Sequence, residues 1–436
     1  MQAIEDLHAG CYDTALLNLY GHEALKDARE RLLSLFTQYQ CAFGEEDDLL
    51  VVSAPGRTEL GGNHTDHNGG RVLAASVDAD ILAVAGRRPN GEVAIHSSGQ
   101  PAVTLCLDRL EARPEERRTS AALVRGVAAG LKREGARVGG FAAVTDARVP
   151  IGSGLSSSAA FEILIGAVFN YAYNQGMLNY RTLAIAGGYA ENEYFDKPSG
   201  LMDQIACAAG GVVAVNFAHP QHPEIRRIAF DWERTGYRLC MIDVGGDHAS
   251  LTDAYASIPH EMRAVAEALG GTRLADTSRR DLLSRLSDIR RRCGDRAVLR
   301  AFHFFMENER VERETAALEQ GNLAMFLQQV RLSGHSSFEY LQNISPPGQP
   351  ESQPMAVALC LAQQILGEEG AFRVHGGGFG GCIQTLVPAE RTADLTAAME
   401  AALTPGCCRV LAIRPAGSIR LMAGDPLRTQ RKGDQL

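Results

Sequence analysis

Between residues 23 and 43, apolar side chains recur at three- and four-residue steps, with Leu25, Ala28, Leu32, Leu33 and Phe36 on one face. That spacing predicts an amphipathic helix. A short apolar run at 49–53 predicts a strand. Further apolar segments at 72–77, 81–85 and 93–97 predict a small sheet, with Pro89-Asn90-Gly91 as a hairpin turn. A helix is expected over 121–134 and a strand over 141–145. The stretch 159–173 is apolar on nearly every face, as a buried helix requires. Residues 181–195 read as helix, Pro198-Ser199-Gly200 breaks the run, and a short helix from Leu201 ends at Gly210-Gly211 before a strand at 212–217.

Beyond about residue 220 the pattern changes. A strand is expected at 237–244, several helices between 253 and 333, a proline-rich loop at 345–354, another helix, and strands on either side of 376–381. We read an α+β chain of two domains, 1–220 and 221–436, with a boundary somewhere between 205 and 235.

The chain has 436 residues, 45% of them hydrophobic and 22% charged, which suits a folded protein with a large core. The net charge of −9 argues against general binding to nucleic acid or to anionic membranes, while leaving room for a local basic pocket. The arginines around 279–292 alternate with acids and apolar residues and read as a solvated helix face. Ten cysteines without a C-x-x-C pair fit a reduced, cytoplasmic protein. The first twenty residues carry Glu5, Asp6, His8 and Asp13 and lack the pattern of a secretory signal. No uncharged apolar stretch approaches about 18 residues.

Three glycine-rich segments carry candidate chemistry. The run Pro150-Ile-Gly-Ser-Gly-Leu-Ser-Ser-Ser-Ala-Ala160 leads into the buried helix. Gly152 and Gly154 allow positive φ and close backbone approach, and Ser156, Ser157 and Ser158 gather at the positive end of the helix dipole, a natural seat for phosphate. An ordinary serine-capped helix would leave the same local pattern. The run Gly56-Arg-Thr-Glu-Leu-Gly-Gly-Asn-His-Thr-Asp-His-Asn-Gly-Gly70 crowds donors and acceptors after a strand, which suits a polyhydroxylated ligand; His64 and His67 alone are a thin basis for a metal site. Glu191 and Asp203 are carboxylates in otherwise apolar helical sequence. They read either as a surface acid and a dipole partner, or as a metal ligand and a proton acceptor for phosphoryl transfer. The third segment, His375-Gly-Gly-Gly-Phe-Gly-Gly-Cys382, contains a G-x-G-x-x-G match, but strand-like residues follow it instead of a helix, so a glycine hairpin is expected and not a dinucleotide fingerprint.

In this order the segments resemble those of the kinases that phosphorylate galactose, homoserine, mevalonate and phosphomevalonate. Within that superfamily they are most similar to galactokinases, whose signature Gly-Arg-Val-Asn-Leu-Ile-Gly-Glu-His-Thr-Asp-Tyr-Asn-Gly-Gly aligns without gaps on 56–70. Weaker echoes fall at 124–127, 248–255 and 333–335. The resemblance implies a ribosomal-protein-S5-like N-terminal domain and a ferredoxin-like C-terminal domain, with ATP and sugar between them. It implies Asp203 as the base and Arg57 beside it, and sugar contacts from Asn63, His64, Asp66, Gly200 and Tyr255. ATP would lie against Gly152, Ser153, Gly154, Leu155, Ser156, Ser157 and Ser158, with Mg²⁺ on Ser157 and Glu191. The implied partners are a small sugar and ATP, with no nucleic acid or membrane, in a monomer or weak homo-oligomer. The chain departs from the signature at Glu59, Gly61, Asn63 and His67, and carries His375 where Thr or Ser is usual. Asn63 replaces a carboxylate that the family places near the far end of the sugar, which leaves room for a hexose altered there, such as a uronic acid.

Overall fold

Two long strands, β1 (Leu50–Gly61) and β2 (Arg71–Arg88), pair antiparallel at the centre of an eight-stranded sheet. The computed structural model describes residues 2–150, 152–197, 199–220, 222–245 and 251–423. Strand β1 is buried along its whole length, as a strand covered on both faces must be. It corrects one expectation, because residues 54–61 continue the strand instead of opening a loop. Register shifts between Pro55 and Arg57 and between Glu59 and Gly61 keep the pairing with β2 while re-aiming the side chains between them. The runs expected at 72–77 and 81–85 are likewise a single strand.

The remaining strands of this sheet are β3 (Glu92–Ser97), β4 (Val103–Cys106), β5 (Gly140–Ala147), β6 (Val212–Asn216), β7 (Glu224–Ile228) and β12 (Ile419–Leu421). Strand β5 pairs antiparallel with β2 and parallel with β3, so it lies between them. The hairpin expected at Pro89-Asn90-Gly91 is therefore corrected. Asn90 Oδ1 does accept the Glu92 N–H, 3.2 Å, but the strands that this turn joins are not neighbours. Local turn chemistry carries no information about a strand inserted from fifty residues away.

One face of the sheet is covered by α1 (Gln2–His8), α2 (Asp13–Tyr20) and α3 (Leu25–Phe43), whose Leu16, Leu32, Phe36 and Tyr39 pack on Val51, Leu82 and Val144. The other face carries α4 (Ser120–Arg133), α5 (Ser157–Tyr173), α6 (Tyr180–Glu193) and α7 (Met202–Ala209). The apolar periphery predicted for α5 is observed, with Ile163, Leu164, Ala167 and Phe169 all buried.

A second, four-stranded antiparallel sheet has the order β11-β8-β10-β9, built from β8 (Tyr237–Asp243), β9 (Ala371–His375), β10 (Cys382–Pro388) and β11 (Cys408–Leu411). Helices α13 (Pro354–Leu366) and α14 (Thr392–Ala402) close its core. The helices α8 (Thr252–Leu269), α9 (Arg279–Ser284), α10 (Leu286–Cys293), α11 (Asp295–Glu319) and α12 (Leu323–Ser336) stand beside the sheets, and α11 packs on β2. The chain then returns to the first sheet, where β12 pairs with β1. Among the described residues no helix is long and apolar enough to cross a membrane.

Candidate active site

The three glycine-rich segments, distant in sequence, meet where the edge of the second sheet faces β1. Cys382 Sγ, at the start of β10, contacts the Ser153 carbonyl at 3.3 Å, and the Leu155 carbonyl accepts the Arg57 N–H at 3.1 Å. His375, the last residue of β9, is buried. Its Nε2 accepts the Glu59 N–H at 3.2 Å, which leaves Nδ1 turned toward Gly154. A Cβ on Gly154 would stand 2.9 Å from that nitrogen, and the φ of +75° there also favours glycine. Burial together with the nearby Arg57 and Arg373 pushes the His375 imidazole well below its usual range, so it is neutral.

At the mouth of this junction, Arg57 grips Asp203 through two bonds, Nε to Oδ1 at 2.7 Å and Nη2 to Oδ2 at 2.9 Å. Ser156, the residue preceding α5 and itself at φ 58°, donates its hydroxyl to the same carboxylate. Asp203 lies in the first turn of α7 with its side chain 23% exposed. Burial works against its charge, but the Arg57 guanidinium, the Ser156 hydroxyl and the nearby charge of Lys197 prevail and hold the carboxyl down to about 2.

A second acid is more deeply buried. Glu191, near the end of α6, is 1% exposed and accepts four side-chain donors: Ser158 Oγ (3.0 Å) and Lys197 Nζ (2.6 Å) on Oε1, and Ser199 Oγ (2.5 Å) and Gln204 Nε2 (2.8 Å) on Oε2. Gln204 also donates to Glu162 at 2.9 Å. Burial and the adjacent Glu191 raise the Glu162 carboxyl well above its ordinary value. Of the three consecutive serines 156–158, the one bonded to Glu191 is Ser158. No contact between Ser157 and Glu191 is seen, because only one of three consecutive hydroxyls at a helix start faces a given neighbour. A buried carboxylate flanked by a hydroxyl and already drawing a cation offers the hard oxygen donors that Mg²⁺ prefers.

The polar run after β1 forms the facing wall. His64 donates from Nε2 to the Gly377 carbonyl at 3.1 Å, and burial lowers its imidazole to about 4. Asp66 is partly open, and Gly200 lies against it, where an added Cβ would fall 2.3 Å from Asp66 Oδ2 and push that side chain aside. Tyr255 packs edge-on against Phe379 and donates to the Gly378 carbonyl at 3.1 Å. Residues 246–250, and with them part of the echo at 248–255, lie outside the described residues. Asn63 is 1% exposed, and its amide is fully engaged. Nδ2 donates to Glu59 and to the Gly376 carbonyl, while Oδ1 accepts from Asn343 and Ser337. Both amide donors and the amide oxygen are thus taken by protein groups. His67 is exposed and lies 3.7 Å from Asp66, and among the described residues no three His, Cys, Asp or Glu side chains gather as a metal cluster.

Sequence reasoning missed Lys197, Ser199, Gln204, the buried Glu59–Arg373 pair at 2.5 Å and His303, which meets the Asn63 carbonyl at 2.9 Å. Gln204, His303 and Arg373 each stand as a polar residue among apolar neighbours, whereas Lys197 and Ser199 lie in a connection with no such signal.

Residues 37–87 match the galactokinase galactose-binding signature, and residues 122–211 match the N-terminal domain of GHMP kinases. A galactokinase of Streptomyces coelicolor is 32% identical over 352 residues, spanning 80% of this chain and 87% of that protein. The crystal structure of Lactococcus lactis galactokinase complexed with galactose superposes with a TM-score of 0.76 at 24% identity, over 89% of this chain and 99% of that one. The mevalonate kinase of Methanococcus jannaschii gives 0.60 at 15% identity, over 85% and 99%.

Proposed function

Because the chain belongs to the galactokinase family of the GHMP kinases, we infer that it transfers the γ-phosphoryl group of ATP to the anomeric hydroxyl of galactose or a closely related sugar. The observation that carries this reading is the Arg57–Asp203–Ser156 arrangement at the junction of the three glycine-rich segments. A sugar hydroxyl is a weak nucleophile, so positioning and charge neutralisation must supply most of the acceleration. Asp203 is ionised throughout the neutral range and is a ready acceptor for the hydroxyl proton. With its carboxyl held to about 2 it is also a weak base, which suits a proton that leaves late, once the new O–P bond has acidified the hydroxyl. Arg57 fixes the carboxylate through a planar two-point grip and stands ready to meet charge on the transferring group.

We assign the nucleotide phosphates to the backbone and hydroxyls of Gly152, Ser153, Gly154, Leu155, Ser156, Ser157 and Ser158, at the amino end of α5. Mg²⁺ would be held by Glu191 with Ser158, the latter in place of the expected Ser157. Such an ion neutralises phosphate charge and fixes the phosphates' orientation. His64, Asp66, Gly200 and Tyr255 line the sugar side, His64 as a neutral donor and Asp66 as an acceptor for two hydroxyls.

The finer choice of sugar rests on Asn63. Its saturated, uncharged amide leaves the far end of the sugar without the family's carboxylate, and we propose that a hexose altered at that end, including a uronic acid, is accepted. ADP release measured over a panel of sugars tests both levels. Turnover with galactose or a relative is expected, and kcat/KM for galacturonate within tenfold of that for galactose supports the finer reading. A large preference for galactose ends that finer reading. Silence across the panel, with ATP-dependent sugar binding by calorimetry, would instead indicate a binding regulator.

A further inference from the structure

The carboxylate of Glu191 is nearly sealed from solvent, yet one of its four donors differs in kind from the rest. Ser158 belongs to α5, Ser199 to the α6–α7 connection, and Gln204 to the interior of α7 with no exposure; all three are neutral. Lys197 carries the sole positive charge among them, and its side chain is half exposed. A long stem rooted in a connection can withdraw its ammonium into water without opening the core, whereas Gln204 cannot move without doing so. Lys197 also sits on Oε1, the oxygen shared with Ser158, where a bound divalent ion would have to stand.

We propose that Lys197 is a built-in counter-cation for Glu191, occupying in the free enzyme the position that Mg²⁺ takes with the nucleotide, and that ammonium and metal exclude one another. This rests on the reading of Glu191 as a metal ligand. The charge balance supports it. An isolated buried carboxylate is costly, so Glu191 needs a cation whether or not nucleotide is present. The neighbouring Glu162 accepts from the same Gln204 amide at 2.9 Å, which brings no charge, so Lys197 is the cation bonded in this cluster. Holding the ammonium and a divalent ion on the same oxygen would place like charges in contact. The exchange is purely ionic, with the lysine leaving still protonated. The sequence contains no G-x-x-x-x-G-K-[ST] loop, so Lys197 is not in the role of a P-loop lysine.

Direct binding of Mn²⁺ to the full-length protein without nucleotide, followed by electron paramagnetic resonance or calorimetry, tests the exchange. Lys197→Met should bind Mn²⁺ about tenfold more tightly than wild type, Lys197→Arg should resemble wild type, and Glu191→Gln should lose the site. In chelator, Lys197→Met should melt below wild type and recover when the metal is added. Equal or weaker Mn²⁺ affinity in Lys197→Met overturns the proposal while leaving Glu191 as a ligand. Unchanged affinity in Glu191→Gln would instead remove Glu191 from the metal site. A measurement on the unmodified chain covers the case of a poorly folded variant: Mn²⁺ should raise the rate at which an amine-reactive ester labels Lys197 several-fold, read by mass spectrometry. An unchanged rate counts against displacement.

Discussion

Asp80 and Asp203 each meet an arginine inside the first sheet and its helices, but the surroundings of the two carboxylates differ. Asp80, on β2, has no exposure and accepts from Arg31 (2.7 Å), Arg414 (3.2 Å), Tyr20 (2.6 Å) and Ser53. Its partners come from the amino-terminal helices, from β1 and from Arg414, so the carboxylate ties three distant parts together and is sealed from solvent. Asp203 has one arginine, one serine and a side chain that still reaches solvent. Pairing with arginine therefore does not mark a reactive acid. A carboxylate that solvent, and so a ligand, can still reach is the better candidate.

The sharpest way to break this contrast is to remove each carboxylate in turn. Asp203→Asn should lower kcat by about 10²- to 10⁴-fold, the usual worth of a positioned base, with the melting temperature changed far less. Turnover near wild type in ADP release would strip Asp203 of that role. Asp80→Ala should do the reverse, costing about 3 to 5 kcal/mol of stability in urea unfolding because Arg31 and Arg414 lose a buried counter-charge, while kcat of the folded protein stays close to normal. A smaller effect should appear in acid. The folded carboxyl of Asp203 is held to about 2, below the unfolded value of about 3.9. Its stabilisation is thus complete above pH ~4 and is lost as pH falls toward 2, a change of roughly 2 to 3 kcal/mol. Asp80 is shifted in the same direction, since its two arginines outweigh burial. Unfolding free energies across that window should fall more steeply for wild type than for Asp203→Asn, and identical slopes would contradict the assigned interaction.

Much of the site could be read from the chain because its residues lie in short ordered segments. The glycine and serine spacing at 150–160, the break at Pro198-Ser199-Gly200 and the polar run at 63–70 each signal local geometry, and the resemblance set Arg57 beside Asp203, where the structure has them bonded. What could not be read depends on contacts across long separations. The strand that separates β2 from β3 arrives from residue 140, and nothing in the turn at 89–91 anticipates it. That Ser158 is the serine of this run bonded to Glu191 depends on the phase at which α5 begins, which the sequence does not mark. Nothing in the sequence sets Lys197 apart from other charged loop residues; its bond to Glu191 depends on the fold. The saturated amide of Asn63 depends on Asn343 and Ser337, some 275 residues downstream.

The pairing of β12 with β1, reinforced by Arg414 on Asp80, has a consequence for biosynthesis. A nascent polypeptide emerging from the ribosome shows the edge of β1, and an acid awaiting one of its two arginines, until residue 421 has been made. Fragments ending near residue 220 would retain that edge permanently, and such stubs should associate with one another when expressed alone.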